Sequence, residues 1–350
     1  MSWQGIAGHD EIVEQFRRAL ARGRLASTFL FVGPEGVGKR GFALRLAQCL
    51  LCQERPAEQL EPCGQCASCT QVLAGTHPDL LQVAKPRERS EMPVALLIGS
   101  GERRMHEGLC HDISLKPFMG GRRIAIIGDA DFLNEEGANC LLKTLEEPPP
   151  QSVLILIGTS IDRQLPTIRS RAQIIRFQPL APELLAQLLA EQGLVGDASE
   201  AERVAAFSEG SLARAGELSE PAMWSFRGKL LERLAGPTLD GVQLAKFVSA
   251  FVDEAGKEAP PRRARARLAV GFVVEFYRQI WRALSGVPLS VDDAELRACV
   301  RQTVGRWTAG QEAAGACADR SLEALVHIDR NANQATWIEA WVDDLTRLAS

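Results

Sequence analysis

Four apolar runs stand out in the chain's pattern of hydrophobic and polar positions: Thr28-Phe29-Leu30-Phe31-Val32, Ile124-Ala125-Ile126-Ile127, Val153-Leu154-Ile155-Leu156-Ile157 and Ile174-Ile175-Arg176-Phe177. Leu80-Leu81-Gln82-Val83 is a shorter candidate of the same kind. Between them apolar residues recur at helical spacing. Ile12, Val13, Phe16, Ala19 and Leu20 form one such stripe, and Phe42, Ala43, Leu46, Ala47 and Leu50 form another. A helix through Asn139-Cys140-Leu141-Leu142-Lys143-Thr144-Leu145-Glu146-Glu147 is stopped by Pro148-Pro149-Pro150. Near-continuous Val, Ile and Leu runs separated by helices predict a parallel sheet covered on both faces. Residues 84–101 read as an exposed connection, with a helix over about 102–111.

Beyond Pro179 the pattern is helical throughout, so the fold class is α/β followed by all-α. A small helical unit over 179–236 carries Leu184, Leu185, Leu188 and Leu189, and Gly236-Pro237 reads as a linker. A longer helical region over 237–350 contains Val242, Phe247, Phe251, Phe272, Phe276, Ile280, Trp337, Trp341 and Leu345. Its aromatic stripes suggest an oligomerisation surface. The alternative is that Phe272, Phe276, Trp337 and Trp341 fill that region's own core.

The strand ending at Val32 runs into Gly33-Pro34-Glu35-Gly36-Val37-Gly38-Lys39-Arg40, and a helical stripe follows. Strand, glycine turn and helix start are the setting of a phosphate-binding loop. Its glycines turn successive N–H groups inward, the helix N-terminus adds partial positive charge, and the lysine reaches the outer phosphates. The position after the lysine is normally Ser or Thr, whose hydroxyl ligates Mg²⁺. Arg40 cannot ligate a metal and repels one.

Length and composition bound the rest. At 350 residues, 46% hydrophobic and 24% charged, the chain fits two or three globular domains. A net charge of −4 argues against a globally basic nucleic-acid binder. No run of 18 apolar residues suggests a membrane span, and Met1-Ser2-Trp3-Gln4 lacks the features of a secretion signal. Nine cysteines, an odd number, point to metal binding or free thiols. Cys63, Cys66 and Cys69 at three-residue spacing, with Cys52 before them, supply four thiolates suited to a closed, structural zinc site. Cys49, one helical turn before Cys52, and His77 are alternative fourth ligands. Arg262, Arg263, Arg265 and Arg267 cluster after Pro260-Pro261, either as a solvated face or as a site for a partner anion. Asp129 and Asp131 end the second apolar run, where a nucleotide site keeps its acids.

Together these features resemble the bacterial clamp-loader ATPases of the AAA+ class, and within them the delta-prime subunits of DNA polymerase III. The glycine loop and Leu51-Cys52 with Pro62-Cys63-Gly64-Gln65-Cys66-Ala67-Ser68-Cys69 carry the resemblance. So do Gly75-Thr76-His77-Pro78-Asp79, the segment from Asn139 to Pro149, and Leu165-Pro166-Thr167-Ile168-Arg169-Ser170-Arg171. It is dense over 1–180 and thins to Gly210-Ser211 and Asn331-Ala332-Asn333 beyond.

The resemblance implies an AAA+ P-loop domain over 1–178 with a zinc-binding insert at about 52–79. A helical lid over 179–236 and a collar over 237–350 would follow. Its register puts Gly128 at the metal-binding Asp and Asp129 at the catalytic Glu, so ATP or ADP would bind without a normal Mg site. Thr159 matches the first sensor. Ala172 replaces the family cysteine, and Arg214 stands one place off the second sensor and is not assigned to it. Arg171 corresponds to an arginine finger for a neighbour's ATP site. Arg169 is the rival donor, and local pairing of Arg171 with an acid such as Asp162 is the structural alternative. The implied role is that of a cytoplasmic, non-hydrolysing clamp-loader subunit. Motor subunits and a delta subunit would be its partners, with the sliding clamp and primed DNA reached through the complex. Arg40 and Gly128 disfavour a hydrolysing motor subunit. Net charge disfavours a zinc-dependent nucleic-acid-binding module.

Overall fold

In the computed structural model, which describes residues 2–86, 88–119, 121–289, 293–330 and 332–349, the chain separates into two compact units, Met1–Ser219 and Glu220–Ser350. In the first, a small antiparallel pair, β1 (Ser2–Trp3) and β2 (Ile6–Ala7), precedes α1 (Asp10–Ala21). There follow β3 (Thr28–Val32), α2 (Lys39–Leu51), α3 (Ala67–Ala74), β4 (Leu80–Val83), α4 (Ala95–Ile98), α5 (Leu109–Ser114) and β5 (Arg123–Ile127). Next come α6 (Glu135–Glu146), β6 (Ser152–Ile157), α7 (Pro166–Arg169) and β7 (Gln173–Arg176). The helices α8 (Pro182–Glu191), α9 (Ala198–Phe207) and α10 (Leu212–Leu218) close the unit.

Five strands form one sheet in the order β4-β5-β6-β3-β7, every pair parallel. Side chains alternate between its faces, as a pleat requires. Phe29, Phe31, Ile124, Ile126, Val153 and Ile155 join one buried cluster with Phe16 of α1 and Phe42 of α2. Leu30, Val32, Ala125, Ile127, Leu154 and Leu156 join another with Leu141 and Leu145 of α6. The stretch expected to be an exposed connection behaves differently. Met92, Leu97 and Ile98 are buried in that second cluster, because the apolar run around α4 covers a sheet face that would otherwise meet water. Nor is there one helix over about 102–111: a 3₁₀ turn at Gly101–Arg103 precedes α5, which starts at Leu109.

The segment Gly75-Thr76-His77-Pro78-Asp79 works as a buried polar joint. His77 accepts the Asp79 N–H at Nδ1 (3.0 Å), and its Nε2 lies 2.7 Å from Ser68 Oγ, which donates to Leu51 O (2.6 Å). Burial holds the imidazole below its usual pKa, against the opposing Asp79 charge. The fully buried Asp79 carboxylate accepts the N–H groups of Phe118 (2.7 Å) and Met119 (2.8 Å) and pairs with Arg123 (3.3 Å).

The second unit is helical: α11 (Pro221–Leu234), α12 (Gly241–Asp253), α13 (Ala259–Leu284), α14 (Ala294–Val304), α15 (Gly310–Asp329) and α16 (Gln334–Leu348). No strand follows β7 among the described residues. Phe272, Phe276, Trp337 and Trp341 are all buried, and Trp341 Nε1 donates to Ser321 Oγ (3.1 Å). These aromatics form the unit's own core, so they supply no oligomerisation surface. Arg262 pairs with Asp253, Arg265 with Glu220 (3.1 Å) and Arg267 with Asp329 (2.6 Å). Arg262, Arg265 and Arg267 therefore have internal counterions. Asn331 lies outside the described residues, while Asn333 caps α16 by accepting the Thr336 N–H. Among the described residues no helix is long and apolar enough to cross a membrane.

One stability prediction follows from Asp79. Burial pushes its pKa up, but the Met119 and Phe118 N–H groups and the Arg123 guanidinium outweigh this and hold it below the usual carboxylate value. A depressed folded pKa means the stabilisation is present above the unfolded pKa and is lost as pH falls through the folded one. Asp79→Ala should therefore cost about 3–5 kcal/mol near pH 7, because Arg123 is left as an unpaired buried charge. The gap from wild type should start to narrow below about pH 4, the usual carboxylate value, and close further as the depressed wild-type carboxylate protonates at lower pH. Urea unfolding at both pH values checks it.

Candidate functional site

The glycine loop leaves the C-terminal end of β3, which is paired on both sides, and enters α2. Gly33 has a positive φ, and a Cβ there would lie 2.3 Å from Phe177 O, so only glycine fits beside β7. At Gly36, also with positive φ, a Cβ would meet Ser211 Oγ at 2.2 Å and Ala213 Cβ at 2.7 Å. Leu212 donates its N–H to Gly36 O (3.1 Å), so the start of α10 rests on the loop. His9 Nε2 lies 2.7 Å from Val37 O. Lys39 is buried, and its ammonium donates to Gly33 O and Pro34 O, both at 2.6 Å. Burial pulls its pKa below the ordinary lysine value, and the charges of Asp131 and Glu35 oppose that shift. Arg40 points outward and is exposed.

The acids after β5 sit differently from their order in the chain. Gly128 follows the strand directly and has no carboxylate to offer. Asp129 is exposed, in a left-handed conformation with φ 54°. Asp131 is the acid of this turn whose charge reaches Lys39. Its carboxylate accepts the Thr159 N–H (2.8 Å) and the Gln164 amide, while Thr159 O accepts from Gly33 N (3.2 Å). Asp131 thus ties the ends of β5 and β6 beside the loop. Sequence register singled out Asp129; only the turn at 128–131 brings Asp131 into place. His9 and Leu212 also carried no signal as loop contacts, beyond Gly210-Ser211 marking the region.

Arg171 is about a third exposed. It pairs with Glu146 of α6, not with Asp162, and also donates to Thr167 O and Ser170 Oγ, both at 3.0 Å. The Arg169 side chain makes no hydrogen bond or ion pair among the described residues. Ala172 packs against the second core cluster, and Arg214 pairs with Glu209 at 3.2 Å.

The cysteines converge. The sulfurs of Cys52, Cys63, Cys66 and Cys69 all lie within 4.8 Å of one another, a set that could hold a metal ion. Backbone N–H groups already point at them: Cys63 N to Cys52 Sγ (3.5 Å), Cys66 N to Cys63 Sγ (3.3 Å) and Cys69 N to Cys66 Sγ (3.4 Å). At Cys52 and Cys66 burial pushes the thiol pKa up, but such N–H contacts outweigh it and leave both below the usual value. Burial dominates at Cys69 and raises it. Cys49 is buried away from this group, its thiol pushed up to about 12. Both ring nitrogens of His77 are engaged elsewhere. Cys52 is therefore the fourth sulfur. All nine cysteines are free thiols, and Cys110, Cys140, Cys299 and Cys317 stand outside the cluster.

A parallel sheet with a glycine loop between the interior strand β3 and the next helix defines the chain as a P-loop α/β protein, with a cysteine knuckle inserted after α2. Residues 8–181 match the sequence family described as DNA polymerase III, delta subunit. Over 181 residues the chain is 34% identical to DNA polymerase III subunit delta' of Bacillus subtilis strain 168, covering 52% of this chain and 51% of that protein. Over 150 residues it is 39% identical to the subunit delta' of Pseudomonas aeruginosa PAO1, covering 43% and 42%. DNA polymerase III subunit gamma/tau of Mycobacterium tuberculosis H37Rv is 32% identical over 200 residues, covering 56% of this chain and 32% of that protein. The matched stretch spans about half the length of the delta-prime relatives. The chain belongs to the DNA polymerase III clamp-loader family, in its delta-prime group.

Four thiolates in tetrahedral reach suit zinc better than a hard cation. Protein purified without chelator should carry about one zinc per chain. Cys66→Ser should lower that content and loosen residues 52–79 while the sheet stays folded. Elemental analysis with hydrogen exchange across the insert measures both effects.

Proposed function

We propose that this chain is the non-hydrolysing subunit of a bacterial clamp loader, working in the cytoplasm within the DNA polymerase III holoenzyme. In this reading it has an AAA+ P-loop domain, a small helical lid and a C-terminal collar, with structural zinc in the cysteine knuckle. Its partners are the motor subunits and a delta subunit, and it helps place the sliding clamp on primed DNA. The observation that carries the reading is the pairing of a retained P-loop with a dismantled metal site. Phosphoryl transfer depends on a metal ion to neutralise developing charge. Here the hydroxyl position is Arg40, the strand-end position is Gly128, and Asp131 has its carboxylate committed to Thr159 and Gln164. These residues do not fit Mg²⁺, so the chain's own site is not expected to turn over ATP.

Its catalytic contribution would be made in trans. Arg171 stands at the surface between α7 and β7, held by a partly exposed ion pair with Glu146. Such a pair is worth only about 0–1 kcal/mol. An arginine finger is worth roughly 10³–10⁵ in rate in GTPases, or about 4–7 kcal/mol. Releasing Glu146 to reach a neighbour's transferring phosphoryl group is therefore affordable. A planar guanidinium grips two phosphate oxygens, which a lysine ammonium cannot do.

Arg171→Ala should leave zinc content and assembly intact while slowing clamp- and DNA-stimulated ATP turnover of the reconstituted loader at least tenfold. Arg171→Lys should rescue it only in part. The isolated chain should not turn over ATP above buffer, and Arg40→Thr should not restore turnover, because Gly128 still lacks a carboxylate. Unchanged turnover with Arg171→Ala, or Mg²⁺-dependent hydrolysis by the isolated chain, would overturn the reading.

A further inference from the structure

The first turn of α2 carries two cations, Lys39 and Arg40, and no acid. This is the end of the helix where the backbone dipole is already positive. The Arg40 side chain makes no hydrogen bond or ion pair among the described residues. The backbone N–H groups of residues 35–41 likewise find no acceptor among the described residues. Two of those residues, Val37 and Lys39, are buried. Buried N–H donors rarely stay unpaired. The loop carbonyls, in contrast, are taken: Gly33 and Pro34 by Lys39, Gly36 by Leu212, Val37 by His9 and Gly38 by Phe42. What the loop has left to offer is donors and positive charge.

A divalent metal finds no footing beside it. No hydroxyl stands at position 40, Gly128 brings no carboxylate, and Asp131 is occupied by the Thr159 N–H and the Gln164 amide. We infer that the loop binds the polyphosphate tail of a nucleotide as a metal-free anion, with the Arg40 guanidinium supplying the countercharge that Mg²⁺ supplies elsewhere. The inference rests on reading this loop as a nucleotide site.

The electrostatics give it a sign. Nucleotide without metal is more negative than its Mg²⁺ complex by two charges, and an arginine fork suits phosphate oxygens. A bound Mg²⁺ would instead be brought close to the Arg40 guanidinium. Affinity should therefore fall when Mg²⁺ is added, the reverse of an ordinary P-loop site.

The test is calorimetric titration of the full chain with ADP and ATP, once in EDTA and once in excess Mg²⁺. Wild type should bind about tenfold or more tightly in EDTA. Arg40→Thr removes an exposed side chain, so it should melt at the wild-type temperature while its affinity in EDTA falls toward that in Mg²⁺. Lys39→Ala should weaken binding in both buffers. Wild-type binding that needs Mg²⁺ would overturn the metal-free inference while leaving the nucleotide site standing. An EDTA preference unchanged in Arg40→Thr would overturn the role of Arg40. No binding in either buffer, or binding indifferent to Lys39→Ala, would overturn the nucleotide site itself.

Discussion

β3 is hydrogen-bonded on both sides, to β6 and to β7, and the glycine loop can leave the sheet only between those two neighbours. That constraint organises the first unit. The loop must pass Phe177 O at a distance that admits no Cβ on Gly33. The ends of β5 and β6 come close enough for Asp131 to bridge to Thr159, and Thr159 to the loop. The start of α10 settles on Gly36. Phe31, Phe42 and Phe177 fill the space beneath, with ring centroids 5.1–5.9 Å apart. Sheet register, loop backbone and aromatic packing therefore specify one another.

On this frame the loop keeps its glycines, its lysine and its helix start, with Arg40 after the lysine and the Asp131 carboxylate bonded to the Thr159 N–H and the Gln164 amide. Lys39 sits in a buried environment that disfavours its charge, and Asp131 and Glu35 offset part of that cost. At the surface Arg171 is held by Glu146, in a partly exposed pair of the kind that contributes little to stability.

The second unit turns inward the aromatic stripes whose destination the sequence left open. Phe226 and Phe251 stack at 3.6 Å between centroids, Trp337 and Trp341 are 5.9 Å apart, and Arg265 lies over the Phe251 ring. Large aromatic side chains bury more apolar area than any other type, so helices that meet on them gain stability within the unit. The basic cluster at the start of α13 is drawn in similarly by Asp253, Glu220 and Asp329.

The sequence alone determined whatever depends on neighbours in the chain. Strand runs, helix stripes, the glycine loop with Arg40 after its lysine, and the cysteine spacing are all local patterns, and each is legible because a strand, a turn or a helix repeats within a few residues. Only the tertiary structure decided matters settled between distant segments. Cys52 rather than Cys49 or His77 completes the sulfur cluster, because the chain turns outward after α2 while His77 is held by Ser68 and Asp79. Asp131 rather than Asp129 faces the lysine, because the turn after β5 passes through a left-handed residue. Arg171 meets Glu146 rather than Asp162, because α6 and α7 pack side by side. The stretch before α5 is half core rather than all surface, because a sheet face needed cover. Periodicity names the face an element will bury; which partner it meets is fixed only when the whole chain competes for the same contacts.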